Sequence, residues 1–156
     1  MHLVAEDVRS LDETEAAVDL GQSPGEIVVL SFSDSDLGAV AAAAAAMPDP
    51  SGLPSLRLAA LGRLKHPYSV DLYLEKTCAG ARVIVVRCLG GADYWRYGID
   101  ELAVLARARG IALAIVPGDH MPDLRLERAS TLPPDELGRI WAWFQEGGPD
   151  NMASLL

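Results

Sequence analysis

Cysteine and histidine are scarce: Cys78 and Cys88, with His2, His66 and His120, are all that 156 residues contain. Two thiols, one on an expected helix and one inside an expected strand, suit buried reduced groups better than a disulfide framework. No C-x-x-C and no H-x-x-x-H spacing occurs, so no metal site is expected. Long apolar runs are missing too. Half the residues are hydrophobic, yet no run reaches the roughly 18 to 20 residues that cross a bilayer, and Met1-His2 is followed at once by Glu6 and Asp7. Neither a membrane span nor a secretory signal is expected, which suits a cytoplasmic setting. Positive charge is in short supply, with 13 basic residues against 22 acidic ones and a net charge of -9. Because the basic residues are scattered, binding to the phosphate backbone of a nucleic acid is not expected.

What the chain does have is an alternation of apolar runs and helical stretches. Residues 26–32 (EIVVLSF), 56–61 (LRLAAL), 83–86 (VIVV) and 111–116 (IALAIV) lack polar alternation, as strands buried on both faces do. Residues 1–5 and 16–20 could add a hairpin or an edge strand. Between the runs, Asp34, Ser35 and Asp36 supply capping oxygens and negative charge to a helix that reaches Met47 and stops at Pro48-Asp49-Pro50. After a basic elbow of Arg63, Lys65 and His66, Pro67 opens a helix in which Val70, Tyr73, Leu74, Thr77 and Cys78 recur at helical spacing, ended by Gly80. A third helix is expected from about Ile99 to Arg109, with Gly110 as its cap. A loop then runs to Thr131. The last helix opens at Pro133-Pro134, buries Leu137, Ile140, Trp141 and Phe144 on one face with Trp143 off it, and ends at Gly147-Gly148. Four such cycles predict one α/β domain over residues 1–150, flavodoxin-like or Rossmann-like, with three layers and a parallel sheet of order 2-1-3-4 joined by right-handed crossovers. Residues 151–156 read as the start of a connection to something further.

The turn after the first strand carries no G-x-G-x-x-G and no P-loop, and it places Asp34 and Asp36 where a pyrophosphate would need bare backbone N–H groups. A phosphoryl-accepting receiver would need a Lys after a late strand, but the fourth strand ends in Pro117-Gly118. The aspartates are therefore read as capping residues. No Gly-x-Ser-x-Gly elbow occurs, so no catalytic residue is assigned. His66, Asp119 and His120 could converge at the sheet's carboxyl edge, although separate exposed loop histidines are the plainer reading. The remaining candidate is the stretch from Gly90 to Gly98. Gly90 and Gly91 close the central strand, and Tyr94, Trp95, Arg96 and Tyr97 follow where α/β proteins meet ligands or partners. Flat rings beside a guanidinium suit a planar ligand bearing carboxylates. The competing reading folds Trp95 and a tyrosine back over the upper edge of the sheet.

Taken together, VDLGQSPGEIVVLSFSDSDL (18–37), SLRLAALGRLKHPYSVDLYLEKT (55–77), VVRCLGGADYWRYG (85–98), VPGDHMPD (116–123) and STLPPDELGRIWAWFQEGGPDN (130–151) resemble one family. It is the CobN family, the very large subunit of aerobic cobaltochelatase, at its amino terminus; the superfamily includes the magnesium chelatase large subunit. The most specific pieces are LGGADYWRYG and EGGPDN. The resemblance implies a part in ATP-dependent insertion of Co²⁺ into hydrogenobyrinic acid a,c-diamide, in cobalamin biosynthesis, by a complex that uses Co²⁺, ATP and Mg²⁺. Its implied partners are the remainder of the large subunit, smaller subunits that include an AAA+ ATPase, and the corrinoid substrate. Family subunits are far longer than this chain, and their metal- and tetrapyrrole-handling core lies mostly downstream. An amino-terminal scaffold or interaction domain is therefore expected, with no cofactor of its own and no chelation or ATP hydrolysis alone. The alternative is a self-contained domain that binds a tetrapyrrole or a nucleotide.

Overall fold

The apolar runs become four parallel strands in the computed structural model, which describes residues 19–47 and 54–146. These are β1 (Ile27–Ser31), β2 (Leu56–Ala60), β3 (Val83–Cys88) and β4 (Ala112–Pro117), in the order β2-β1-β3-β4. That is the expected 2-1-3-4. Five helices connect and cover them: α1 (Asp34–Ala45), α2 (Pro67–Tyr73), α3 (Arg96–Arg109), α4 (Leu124–Ala129) and α5 (Pro134–Glu146).

Because side chains alternate across a strand, each strand feeds two separate cores. Val28, Leu30, Ile84 and Val86 point to the layer of α2, α3 and α4, where they meet Val70, Leu102 and Leu126. Val29, Val85, Ala114 and Val116 point the other way, onto Val40 of α1 and Leu137, Ile140 and Phe144 of α5. The result is a three-layer α/β/α domain. Both cysteines are buried and unbridged, Cys78 behind α2 and Cys88 at the end of β3. Burial pushes their thiols up to about 12 and about 11.

Several details differ from the sequence reading. The cap of α1 is Ser33, whose Oγ accepts from the Asp36 amide at 3.3 Å, so Asp34 and Asp36 stand inside the first turn. After Tyr73 the second helix widens into a π turn over Leu74–Cys78. The third helix starts at Arg96, a turn earlier than Ile99. The loop expected up to Thr131 contains α4, which is short and buries Leu126 alone. Trp141 is only half-buried. Its indole donates to the Asp119 carbonyl at 3.1 Å, because a ring with a polar N–H settles at the rim of the core. Residues 1–5 and 16–18, the stop at Pro48-Asp49-Pro50, the end at Gly147-Gly148 and residues 151–156 lie outside the described residues; Asp19 and Leu20 are in no strand.

The free edge of β4 is closed locally. Ser130 and Thr131 run back along it, their hydroxyls accepting from Ile115 N at 2.9 Å and Leu113 N at 2.7 Å. Among the described residues no helix is long and apolar enough to cross a membrane.

Candidate functional site

In open α/β sheets the ligand crevice lies beyond the carboxyl ends of the strands, where the strand order reverses. Here the reversal falls between β1 and β3, and the residues paired across it at the carboxyl end are Ser31 and Arg87. Arg87 sits at an odd position of β3, so it faces the α1 and α5 layer. Its Nη1 donates to Asp36 Oδ1 at 2.8 Å, and the two side chains are only 13% and 14% exposed. Ser31 Oγ donates to the other Asp36 oxygen at 2.9 Å and accepts from Ser33 N at 3.0 Å. The guanidinium carbon lies 5.2 Å from the centroid of the Phe144 ring. Longer bonds reach the carbonyls of Phe144 at 3.4 Å and Gly118 at 3.5 Å.

This network ties the ends of β1, β3, α1 and α5 together at one point. The space left beside it, lined by Ser31, Phe32, Ser33, Asp36, Arg87 and Leu89, is about 220 Å³. Small-molecule pockets run from about 300 to 1,000 Å³. The arrangement can neutralise one buried charge with another, and the space beside it falls below that small-molecule range.

The ring cluster is divided by the fold. Gly90 and Gly91 take positive φ values of 84° and 81°, turning the chain sharply out of β3. Ala92–Trp95 then forms a 3-10 turn that runs straight into α3. Trp95 folds inward, 4% exposed, and donates Nε1–H to the Leu64 carbonyl at 2.8 Å. Gly98 lies against the same ring, and a Cβ there would stand 2.1 Å from Trp95 Cε2. Tyr94, by contrast, is 69% exposed, and Arg96 is also exposed. Tyr97 is part-exposed and donates to Asp71 Oδ1 at 2.7 Å; this bond, with some desolvation, pushes its hydroxyl up to about 12. Tyr94 and Arg96 therefore face solvent, Tyr97 is tied to α2, and Trp95 serves the core.

The turn is held from the other side by Asp123. Its Oδ2 accepts from Ala92 N at 3.3 Å, and its Oδ1 accepts from the Arg125 amide at 2.9 Å. Desolvation raises the pKa of this carboxyl, but hydrogen bonds from the Arg125 backbone and side chain and from Ala92 outweigh it and leave the group below the usual carboxylate range. Arg125 also reaches Asp93 at 2.9 Å.

The two described histidines, His66 and His120, make local contacts. His66 Nδ1 accepts from Tyr68 N at 3.1 Å as the cap of α2, while His120 Nδ1 lies 3.2 Å from Gln145 Nε2. Among the described residues no three His, Cys, Asp or Glu side chains gather as a metal site.

Reading the residues missed the Arg87–Asp36 pair and the Asp123 clamp. A signal for the first was present, since an arginine inside a strand buried on both faces demands an acidic partner. Asp34 and Asp36 were the acids already expected at the same edge. The clamp had no comparable signal, because an exposed loop aspartate is ordinary.

No family model matches the chain. It is 43% identical to the aerobic cobaltochelatase subunit CobN of Sinorhizobium sp. over 156 residues, all of this chain and 12% of that protein. It is 41% identical to the aerobic cobaltochelatase subunit CobN of Pseudomonas aeruginosa over 151 residues, 97% of this chain and 12% of that protein. The chain thus spans about an eighth of the length of these relatives. Among solved structures it is similar to the catalytic subunit of cobaltochelatase from Mycobacterium tuberculosis, with a TM-score of 0.63 and 27% identity over 83% of this chain and 10% of that one.

Proposed function

This chain belongs to the CobN family of aerobic cobaltochelatase subunits, and from that premise we propose that it is a scaffold and interaction domain of the large subunit. The subunit's task in this reading is the ATP-dependent insertion of cobalt into hydrogenobyrinic acid a,c-diamide in the cytoplasm. Metal insertion must strip water from the ion and take protons from ring nitrogens, work for carboxylates and histidines in an enclosed cleft. In this reading the domain is a rigid support for the subunit that stands outside such a cleft. The ion and the macrocycle are substrates handled by the rest of the subunit, and the ATP-driven motion comes from an AAA+ partner.

The observation that carries the reading is the filled switch point. Where an α/β protein of this topology would admit a ligand, Arg87 and Asp36 neutralise each other over Phe144. The remaining space of about 220 Å³ is too small for a tetrapyrrole or a nucleotide. Trp95, which could have offered a stacking face, is committed to Leu64. This favours a scaffold over a self-contained ligand-binding domain.

The test is an NMR titration of the 156-residue chain with hydrogenobyrinic acid a,c-diamide up to about millimolar concentration, following the Tyr94 and Tyr97 rings and the Trp95 indole. No localised shift is expected. Shifts confined to Tyr94, Arg96 and their neighbours would instead place the domain in the substrate cleft and overturn the scaffold reading.

A further inference from the structure

Seven large apolar side chains stand exposed among the described residues, and all except Val104 lie in segments that follow the carboxyl ends of strands. Tyr68 follows β2, Leu89, Tyr94 and Tyr97 follow β3, and Met121 and Leu124 follow β4. Every one but Tyr97 is more than half exposed. Strands are spaced about 4.8 Å apart, so these groups extend across roughly 15 Å or more of the sheet's end. Exposed apolar groups gathered at one end of the fold, on a protein of net charge -9, suit a protein contact. The groups are spread over an edge; they do not converge on a hollow.

Two further features identify the occupant. First, α5 climbs toward this edge: Arg87 Nη1 reaches the Phe144 carbonyl at 3.4 Å, and Gln145 Nε2 donates to the Asp119 carbonyl at 3.3 Å. The described end of α5, at Glu146, therefore lies beside the loops that carry the exposed apolar groups. The matched segment makes up only 12% of the CobN relatives. Second, a cavity of about 190 Å³ between α4 and α5, lined by Pro117, Pro122, Leu137 and Trp141, opens one residue from Met121. It is sized for an aliphatic side chain of a partner, not for a cofactor. The groove between α2 and α3, where Val104 lies, is larger at about 400 Å³ and sets Leu74, Val104 and Leu105 among Asp71, Glu75, Glu101 and Arg109, but it lies on the opposite face of the sheet from α5.

We infer that the carboxyl edge of the sheet, centred on Leu89, Tyr94, Met121 and Leu124, is the surface through which this domain docks onto the remainder of its own subunit. The inference rests on the scaffold reading and names the face that reading leaves open. The loops that carry the patch are already fixed, by Trp95 on Leu64 and by Asp123 on Ala92. Little ordering cost then opposes docking.

Hydroxyl-radical footprinting tests this on the 156-residue chain alone and on a full-length CobN subunit in which the chain replaces the matching segment. Labelling of Leu89, Tyr94 and Met121 is expected to fall at least about fivefold in the subunit, as burial in an interface core requires, while Val104 changes less than about twofold. Equal labelling of the edge in both forms overturns the inference. If Val104 is then protected instead, the domain docks by another face and the scaffold reading survives. If nothing is protected, both fail. Association in trans with the separately produced remainder of the subunit gives a second measurement. Leu89→Glu with Met121→Glu is expected to weaken it by about 30-fold or more, and Val104→Glu to leave it unchanged. Equal effects of the two variants would overturn the inference independently.

Discussion

Replacing Arg87 by Met keeps a long stem over Phe144 but removes the guanidinium, and it leaves Asp36 with only the Ser31 hydroxyl. Breaking a buried ion pair by deleting one partner costs about 3–5 kcal/mol, because the surviving charge is stranded. Here the carboxylate is 14% exposed and keeps one donor, so the loss works out at about 2–4 kcal/mol. With a urea m value of about 1–3 kcal/mol/M, the unfolding midpoint should fall by roughly 1 M or more. Asp36→Ala strands the arginine instead and should cost a similar amount. The double variant removes both charges, so its cost should fall short of the sum of the two by about 1–3 kcal/mol. Urea unfolding of the four proteins, followed by tryptophan fluorescence, measures that coupling. A coupling energy near zero, or a cost for Arg87→Met below about 0.5 kcal/mol as for an ordinary surface change, would refute the idea that this pair closes the switch point.

The buried thiols should be inert. With Cys78 and Cys88 pushed up from 9.0 to about 12 and about 11, the thiolate fraction at pH 8 drops by roughly 1,000-fold and 100-fold; iodoacetamide labelling as fast in the folded as in the unfolded chain would contradict this. Both folded values are raised, so the stabilisation is complete below pH 9 and declines as pH climbs from there toward 11–12, by about 1.4 kcal/mol per pH unit for each thiol. A Cys78→Ala, Cys88→Ala chain should therefore show a flatter stability curve between pH 9 and 10. Among the glycines, Gly98→Ala drives a Cβ into the immobile Trp95 ring and should cost about 3 kcal/mol or more. Gly91→Ala forces a side chain into a glycine-only conformation at φ 81°, ψ -171° and should cost about 1–3 kcal/mol. Gly138→Ala, on the open face of α5 with nothing within 4 Å, should instead stabilise by about 0.5–1 kcal/mol; thermal melts of the three variants give the ranking.

Strand order and layering were legible because strands buried on both faces must be apolar throughout, and four such runs alternating with helices leave few topologies. The beginning of α3 was not. Tyr94, Trp95, Arg96, Tyr97 and Gly98 read as a loop, since Gly98 weakens any helical pattern, and only the close fit of Trp95 over a residue without a side chain explains a glycine there. Helix α4 escaped because a single buried leucine in six residues carries no period. Asp36 was read from its place in a helical first turn. Its partner lies 51 residues away, a separation that only the pairing of β1 with β3 brings together. Trp141 and Trp143 were sorted by helical angle alone, which says nothing of where an indole N–H finds an acceptor.

The same alternation that builds the two cores decides the character of the working edge. Along β3, Val86 and Cys88 point to the α2 and α3 layer, so Arg87 between them must point to α1 and α5. The charge therefore lands inside the switch point, where Asp36 meets it, and not outside, where a ligand could. What remains outside is supplied by the loops, and there the chain places rings and aliphatic groups on turns whose backbones are fixed by Leu64 and Asp123. A rigid apolar rim around a neutralised centre is poor at capturing a small charged molecule, because the Arg87 charge is already met by Asp36 and only its buried Nε lacks a hydrogen-bond partner. It is well suited to a large protein surface, which gains from area already ordered before contact. That is the physical reason for the proposal that this edge seats the rest of the subunit.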